Sequence, residues 1–143
     1  MEQTSHHPSN QFWIISILAL IWNLLGLLAY LSQTFLSQKS LNALPRAEQY
    51  YFINTPAWFT AAFATAVFAG IFGSVGLLLK KRMANVLFII SMVSLLVQHY
   101  YNFFVQNYMK ISDLKLVMPI ATVVISIFLI WFTFKMSRKG VLN

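Results

Sequence analysis

The sequence predicts an all-α membrane protein, a four-transmembrane-helix antiparallel bundle. Three observations carry that prediction. The chain of 143 residues is 59% hydrophobic and only 9% charged, against roughly 25% charged in a soluble domain. Its charges fall in short patches between long uncharged runs. Four of those runs reach the roughly 20 mainly apolar residues needed to cross a hydrocarbon layer about 30 Å thick.

The spans read as about 12–33, 57–79, 83–106 and 115–135, within a single domain over 1–143. The first follows a polar stretch through Asn10 that carries Glu2 and no early lysine or arginine. Its apolar run exceeds a usual signal core, so it reads as a permanent helix rather than a cleaved leader. Asn54 or Thr55 is expected to cap the second span, with Pro56 in its first turn, where a missing N–H is harmless. A tight turn holding Lys80, Lys81 and Arg82 leads to the third span. Pro119 falls near the start of the fourth, where it is cheap; a start before Lys115 would make it a kink. Trp13, Trp58 and Trp131 fall near span ends, where indoles form an aromatic belt, and Tyr100, Tyr101 and Tyr108 extend it on the opposite side.

The one long connection, 37–55, is read as extracytoplasmic. Pro45 before Arg46, Ala47, Glu48 and Gln49 is a helix-start signal, and Tyr50, Tyr51, Phe52 and Ile53 give that segment a greasy end. It either caps the bundle as a short helix or anchors a loop by its aromatic rings. Topology follows from lysine and arginine. A cytoplasmic Lys80–Arg82 turn also puts Lys135, Arg138 and Lys139 inside. Lys39, Arg46, Lys110 and Lys115 are then outside, partly balanced by Glu48 and Asp113, and both termini are cytoplasmic.

The net charge of +7 does not indicate nucleic acid. The basic residues sit a few at a time at the ends of apolar runs, where membrane lipids with anionic head groups are the natural partners. The chain has no cysteine, hence no disulfide and no thiolate site. No cofactor and no metal are expected, because phosphate-binding glycine loops, HExxH and carboxylate clusters are absent from the sequence.

Two features stand out within the spans. Ala62, Ala66 and Gly70 recur every four residues along the second span, as do Ala69 and Gly73, with Gly76 close after. Small residues let helix backbones approach where no hydrophobic force draws them together. That stripe is a packing face, or one that slides during transport. The third span carries Ser91, Ser94, Gln98 and Asn102 on one face, with His99 beside them. Polar side chains at membrane depth must pair or meet water. Depth counting brings Asn23, Thr65 and Thr122 near Ser94 and Gln98, predicting one hydrogen-bonded layer. Such a layer fixes helix register or forms a solute-binding site. Trp22 lies too deep for the belt and either packs or offers a ring to a ligand. His99 has no second ligand at metal spacing and no identifiable nucleophile, whereas His6 and His7 belong to a loose tail.

Trp22-Asn23 followed by Gly26, Leu44-Pro45, Thr55-Pro56-Ala57-Trp58 and a glycine-rich run ending in Lys80-Lys81 together resemble a group of small bacterial four-helix membrane proteins. No activity is established for that group, although some members carry a sugar-transporter label. The resemblance implies four spans and a bacterial inner membrane, and brings no catalytic or binding residues with it. Three functional readings follow. The first is binding or passage of a small polar solute, in a homo-oligomer whose interface an exposed small-residue face would supply. The second is a non-catalytic partner or assembly subunit of a membrane protein complex. The third is a membrane enzyme, for which His99 is the only obvious chemical group.

Overall fold

The computed structural model describes residues 7–105 and 116–143 and is all-helical across them, without strands. The elements are α1 (Asn10–Thr34), α2 (Gln38–Asn42), α3 (Arg46–Ile53), α4 (Ala57–Leu78), α5 (Met83–Tyr100), a π-helical turn (Tyr101–Val105) and α6 (Val117–Arg138). The expected span ends at 106 and 115, with Tyr108, Lys110, Asp113 and Lys115, lie outside the described residues, as do Glu2 and His6.

Among the described residues four helices are long and apolar enough to cross a membrane: α1, α4, α5 continued through its π turn, and α6. At 1.5 Å per residue the 22 residues of α4 or α6 extend about 33 Å, the thickness of a hydrocarbon core. Their outer faces are apolar, with Ile14, Leu18, Leu28, Val93 and Ile120 all exposed. The structure is consistent with a multi-pass integral membrane protein, in which exposed apolar side chains meet lipid rather than water.

α4 is the pivot. It packs on α5 along one side and on α1 along the other, while α6 packs on α5. The small residues are the reason. Ala66, Ala69, Gly70, Gly73 and Gly76 are buried and Ala62 is half-buried. A side-chain carbon added to Gly73 would lie 3.1 Å from the Phe88 ring, and one on Gly76 would lie 3.5 Å from Ala84. The stripe thus packs α4 against α1 and α5 within the chain.

Buried hydroxyls turn back on their own helices. Ser16 donates to the Phe12 carbonyl at 2.7 Å, Ser74 to Gly70 at 2.8 Å and Thr133 to Ile130 at 2.9 Å. Each is fully buried, so this back-bonding keeps the hydroxyl satisfied without water.

The end of the bundle that carries Lys80–Arg82 and Lys135–Lys139 is closed by one cluster. Phe12, Leu77, Ala84, Phe88, Phe132 and Leu142 belong to it, and the Phe12 and Phe132 rings bring α1 to α6 at 6.1 Å. The last residues fold back onto the α4–α5 turn. The Asn143 N–H donates to the Lys80 carbonyl at 2.7 Å and the Arg82 N–H to the Asn143 carbonyl at 2.9 Å.

The opposite end is capped by α3. Tyr51 packs with Phe59 and Tyr101, and the Tyr101 hydroxyl reaches the Asn54 carbonyl at 3.3 Å. Tyr101 therefore belongs to an interior cluster and not to a belt, while Tyr100 is exposed. Asn54 and Thr55 do not cap α4, because both side chains donate back to α3, to the carbonyls of Tyr50 and Tyr51. Pro56 itself is the N-cap residue of α4. Pro119 lies in the first turn of α6, where its missing N–H removes no intrahelical bond.

Candidate functional site

Away from the basic end α1 and α6 part, and a cleft of about 370 Å³ lies between α1, α4, α5 and α6. Its inner wall is a network that crosses three helices. The Asn23 amide nitrogen donates to the Ala19 carbonyl at 2.8 Å and to Ser74 Oγ at 3.1 Å. Its amide oxygen lies so close to Gly70 that an added side-chain carbon there would overlap it. Ser91 crosses from α5 to donate to the Ala66 carbonyl of α4 at 2.7 Å. These groups are nearly all spoken for, and they fix the register of α1, α4 and α5.

Farther from the basic end the wall changes character. The Thr122 hydroxyl donates to the Pro119 carbonyl at 2.8 Å, and His99 Nε2 lies 3.1 Å from Thr122 Oγ1. Which of the two groups donates depends on the imidazole tautomer, since the Thr122 hydroxyl can also accept. His99 Nδ1 is buried and has no hydrogen-bond partner. The neighbouring Gln98, only 6% exposed, has an equally unpartnered amide nitrogen. A buried polar group left unpaired costs about 1–3 kcal/mol. Two on adjacent residues of one cleft wall form the least satisfied region of the bundle.

Asn102 completes this end. The π-helical turn begins one residue earlier and leaves both Tyr101 and Asn102 buried. Tyr51 of α3 donates to Asn102 Oδ1 at 2.7 Å and ties the cap to the cleft. π turns of this kind redirect side chains at the cost of regular bonding.

Of the residues singled out in sequence, Trp22, Asn23, Ser91, Gln98, His99, Asn102 and Thr122 line the cleft. Thr65 and Ser94 do not. Thr65 is exposed and donates to its own Ala61 carbonyl at 2.8 Å, while Ser94 is half-buried. The single layer expected from depth is therefore split: Asn23 pairs with Ser74, and Thr122 with His99. Sequence reasoning missed Ser74 and Tyr51. Ser74 continues the four-residue spacing of Ala62, Ala66 and Gly70 and was findable as a polar member of the small-residue stripe. No local rule points from Tyr51 to Asn102, 51 positions away.

The 18 described residues that line the cleft include no Lys, Arg, Asp or Glu. Among the described residues no three of His, Cys, Asp and Glu gather as metal ligands would. No family model, curated protein or solved structure matches the chain, so the functional reading rests on this geometry.

Proposed function

We propose that this integral membrane protein binds a small uncharged solute in the cleft between its four long helices. One observation supports the reading above the others: Gln98 and His99, adjacent on α5, both line the cleft and each keeps a buried nitrogen without a hydrogen-bond partner, and no charged side chain lines the cleft among the described residues. In this reading the solute hydrogen-bonds to Gln98 and His99, Trp22 and Phe63 supply flat apolar surface, and the Asn23–Ser74 network holds the walls apart. The test is equilibrium binding of radiolabelled glycerol and glucose to the purified chain, wild type against Gln98→Leu and His99→Phe. The expected result is at least a tenfold loss in both variants with helicity unchanged. Equal binding by all three proteins would remove the cleft as the site.

The membrane is proposed to be a bacterial inner membrane with the Lys80–Arg82 turn and both termini in the cytoplasm, on the positive-inside argument. The cysteine-free chain suits the test. A single Lys81→Cys should react with an impermeant maleimide only after the membrane is opened.

A second reading has its own observation. Below the cleft, α1 and α6 flank an apolar groove of about 360 Å³. In this reading the groove seats a helix of a second copy or of another membrane protein, and the chain serves as an assembly subunit. Cross-linking through a cysteine at Leu25 separates the two, because only the second predicts a discrete protein adduct.

A further inference from the structure

We infer that the cleft takes a neutral amphiphile, which enters sideways between α1 and α6, sets its hydrogen-bonding head against Gln98 and His99, and lays its apolar tail in the groove below. The inference rests on the cleft being a binding site and adds the class of ligand and its route.

Continuity of the two spaces is the first ground. Trp22 and Leu25 line both the polar cleft and the apolar groove, so one passes into the other along α1. The groove continues past Leu18 and Ile21 on one side and Ile125 and Phe128 on the other. From Leu25 back to Ile15 it follows about 15 Å of helix. The second ground is the distribution of polarity. Apart from the Trp22 indole, the groove is lined only by aliphatic, alanine and phenylalanine side chains, whereas the lining of the cleft includes Gln98 and His99, which carry two of the three buried unpartnered polar atoms among the described residues.

Hydrogen-bond inventory narrows the head group. Gln98 has an amide N–H₂ to donate, and His99 Nδ1 donates or accepts according to the tautomer. A hydroxyl or a carboxamide both accepts and donates, so it matches the Gln98 amide and either tautomer of His99. A carboxylate or an ammonium would enter a wall that offers no countercharge among the described residues. A hydrocarbon would leave both nitrogens unpaired. Geometry fixes the orientation: the head lies toward the α3 cap and the tail toward the basic end and the middle of the spans. That is how a lipid of the leaflet on the cap side already stands. A partner helix fits less well, because its backbone groups are satisfied internally and only a side chain would reach Gln98.

The experiment uses the full chain in nanodiscs with a 1-monoacylglycerol that carries a diazirine in its acyl chain. Irradiation is followed by mass-spectrometric mapping, with unlabelled monoacylglycerol, diacylglycerol, fatty-acid methyl ester and glycerol as competitors. Saturable labelling of α1 and α6 around Leu25 and Ile125 is expected. Gln98→Leu and Leu25→Trp should each raise the apparent Kd tenfold or more. Leu25 is 55% exposed and outside the core, so the tryptophan blocks the junction without loading the fold. Competition by mono- and diacylglycerol alike identifies a bilayer lipid; competition by the single chain alone identifies a free lipophile; either supports the inference. Labelling that does not saturate, or that is the same in both variants, overturns it, because the groove is then ordinary lipid-facing surface. Glycerol binding that depends on Gln98 but survives Leu25→Trp, without amphiphile labelling, also overturns it and leaves the solute site standing. Binding of neither probe removes both. A protein adduct at the groove overturns it in favour of the assembly reading.

Discussion

At the basic end of the bundle Phe12, Leu77, Ala84, Phe88, Phe132 and Leu142 close into one dry cluster, and the chain end is pinned to the α4–α5 turn by two backbone hydrogen bonds. At the cap end α1 and α6 separate, and the wall between them exposes a cleft in which Gln98 and His99 keep unpaired nitrogens. Even the polar exception at the basic end makes the contrast. Asn85 leaves its oxygen unpartnered but spends its nitrogen on Ser137 of α6 at 2.8 Å, which joins two helices. The same four helices thus hold one end by side-chain interdigitation and leave the other incompletely satisfied. That difference is the ground on which a solute site is proposed at the cap end.

The comparison breaks first if the basic end proves soft. Phe88→Ala removes a ring that lies on Gly73, where no side chain can collapse into the space. The expected loss is about 3–5 kcal/mol. Leu95→Ala, a half-buried residue of the cleft wall, should cost about 1 kcal/mol or less, because the atoms it removes already border open space. Unfolding in mixed detergent micelles measures both. Equal losses would show that the two ends are packed alike.

Gly70→Ala probes the boundary between them. The new methyl group would overlap the Asn23 amide oxygen and lie 2.8 Å from its carbon. Asn23 would have to swing away and give up Ser74 and the Ala19 carbonyl. Overpacking with the lost bonds predicts about 2–3 kcal/mol of destabilisation. The double variant Gly70→Ala with Asn23→Ala should recover part of it, and additive losses would deny the contact.

How much of this was legible in sequence follows the same division. The all-helical fold with four membrane-length helices is readable because bilayer thickness imposes length and composition on each helix separately. Ser91 and Gln98 are conspicuous for the same reason: polarity inside an apolar run is expensive wherever the helix packs. What sequence does not carry is azimuth and partnership. Depth put Asn23 level with Ser94, but the close approach at Gly70 turns it toward Ser74 on α4. Thr65 shares that depth yet faces outward, and a threonine able to bond its own Ala61 carbonyl looks the same in sequence either way. The Tyr51–Asn102 bond joins α3 to a π turn, and no periodic signature in the sequence marks that turn or the pairing.

Gln98→Leu sharpens the contrast by reversing the expected sign. Most buried substitutions destabilise. Here the leucine removes an amide nitrogen with no partner and keeps the volume, so stability should rise by about 1 kcal/mol as solute binding falls. Ser74→Ala, its counterpart in the satisfied network, should cost about 1 kcal/mol, because Asn23 then loses an acceptor. A loss of stability in both would mean that Gln98 is a structural residue like Ser74.

The smallest effect concerns how the basic end is locked. Two helices end there with the same hydrogen-bond pattern. In α6 the Val141 N–H reaches the Met136 carbonyl at 3.0 Å and the Gly140 N–H reaches Ser137 at 3.2 Å. In α4 the Lys81 N–H reaches the Gly76 carbonyl at 2.8 Å and the Lys80 N–H reaches Leu77 at 3.0 Å. Both are Schellman motifs, which require a left-handed residue just past the cap. α6 places Gly140 there, at φ 75°, where a missing side chain makes the conformation easy; α4 places Lys80 there, at φ 56°. A lysine accepts that strain only where its surroundings hold it, and the bond from Asn143 to the Lys80 carbonyl is what holds it here. Lys80→Gly should therefore stabilise the chain by about 1 kcal/mol, with cap-end ligand binding unchanged. Removing residues 141–143 should enlarge that gain, since the turn then depends on its own backbone preference alone. If glycine brings no gain in either background, the chain end and the turn are not coupled, and the basic end is held by its side-chain cluster alone.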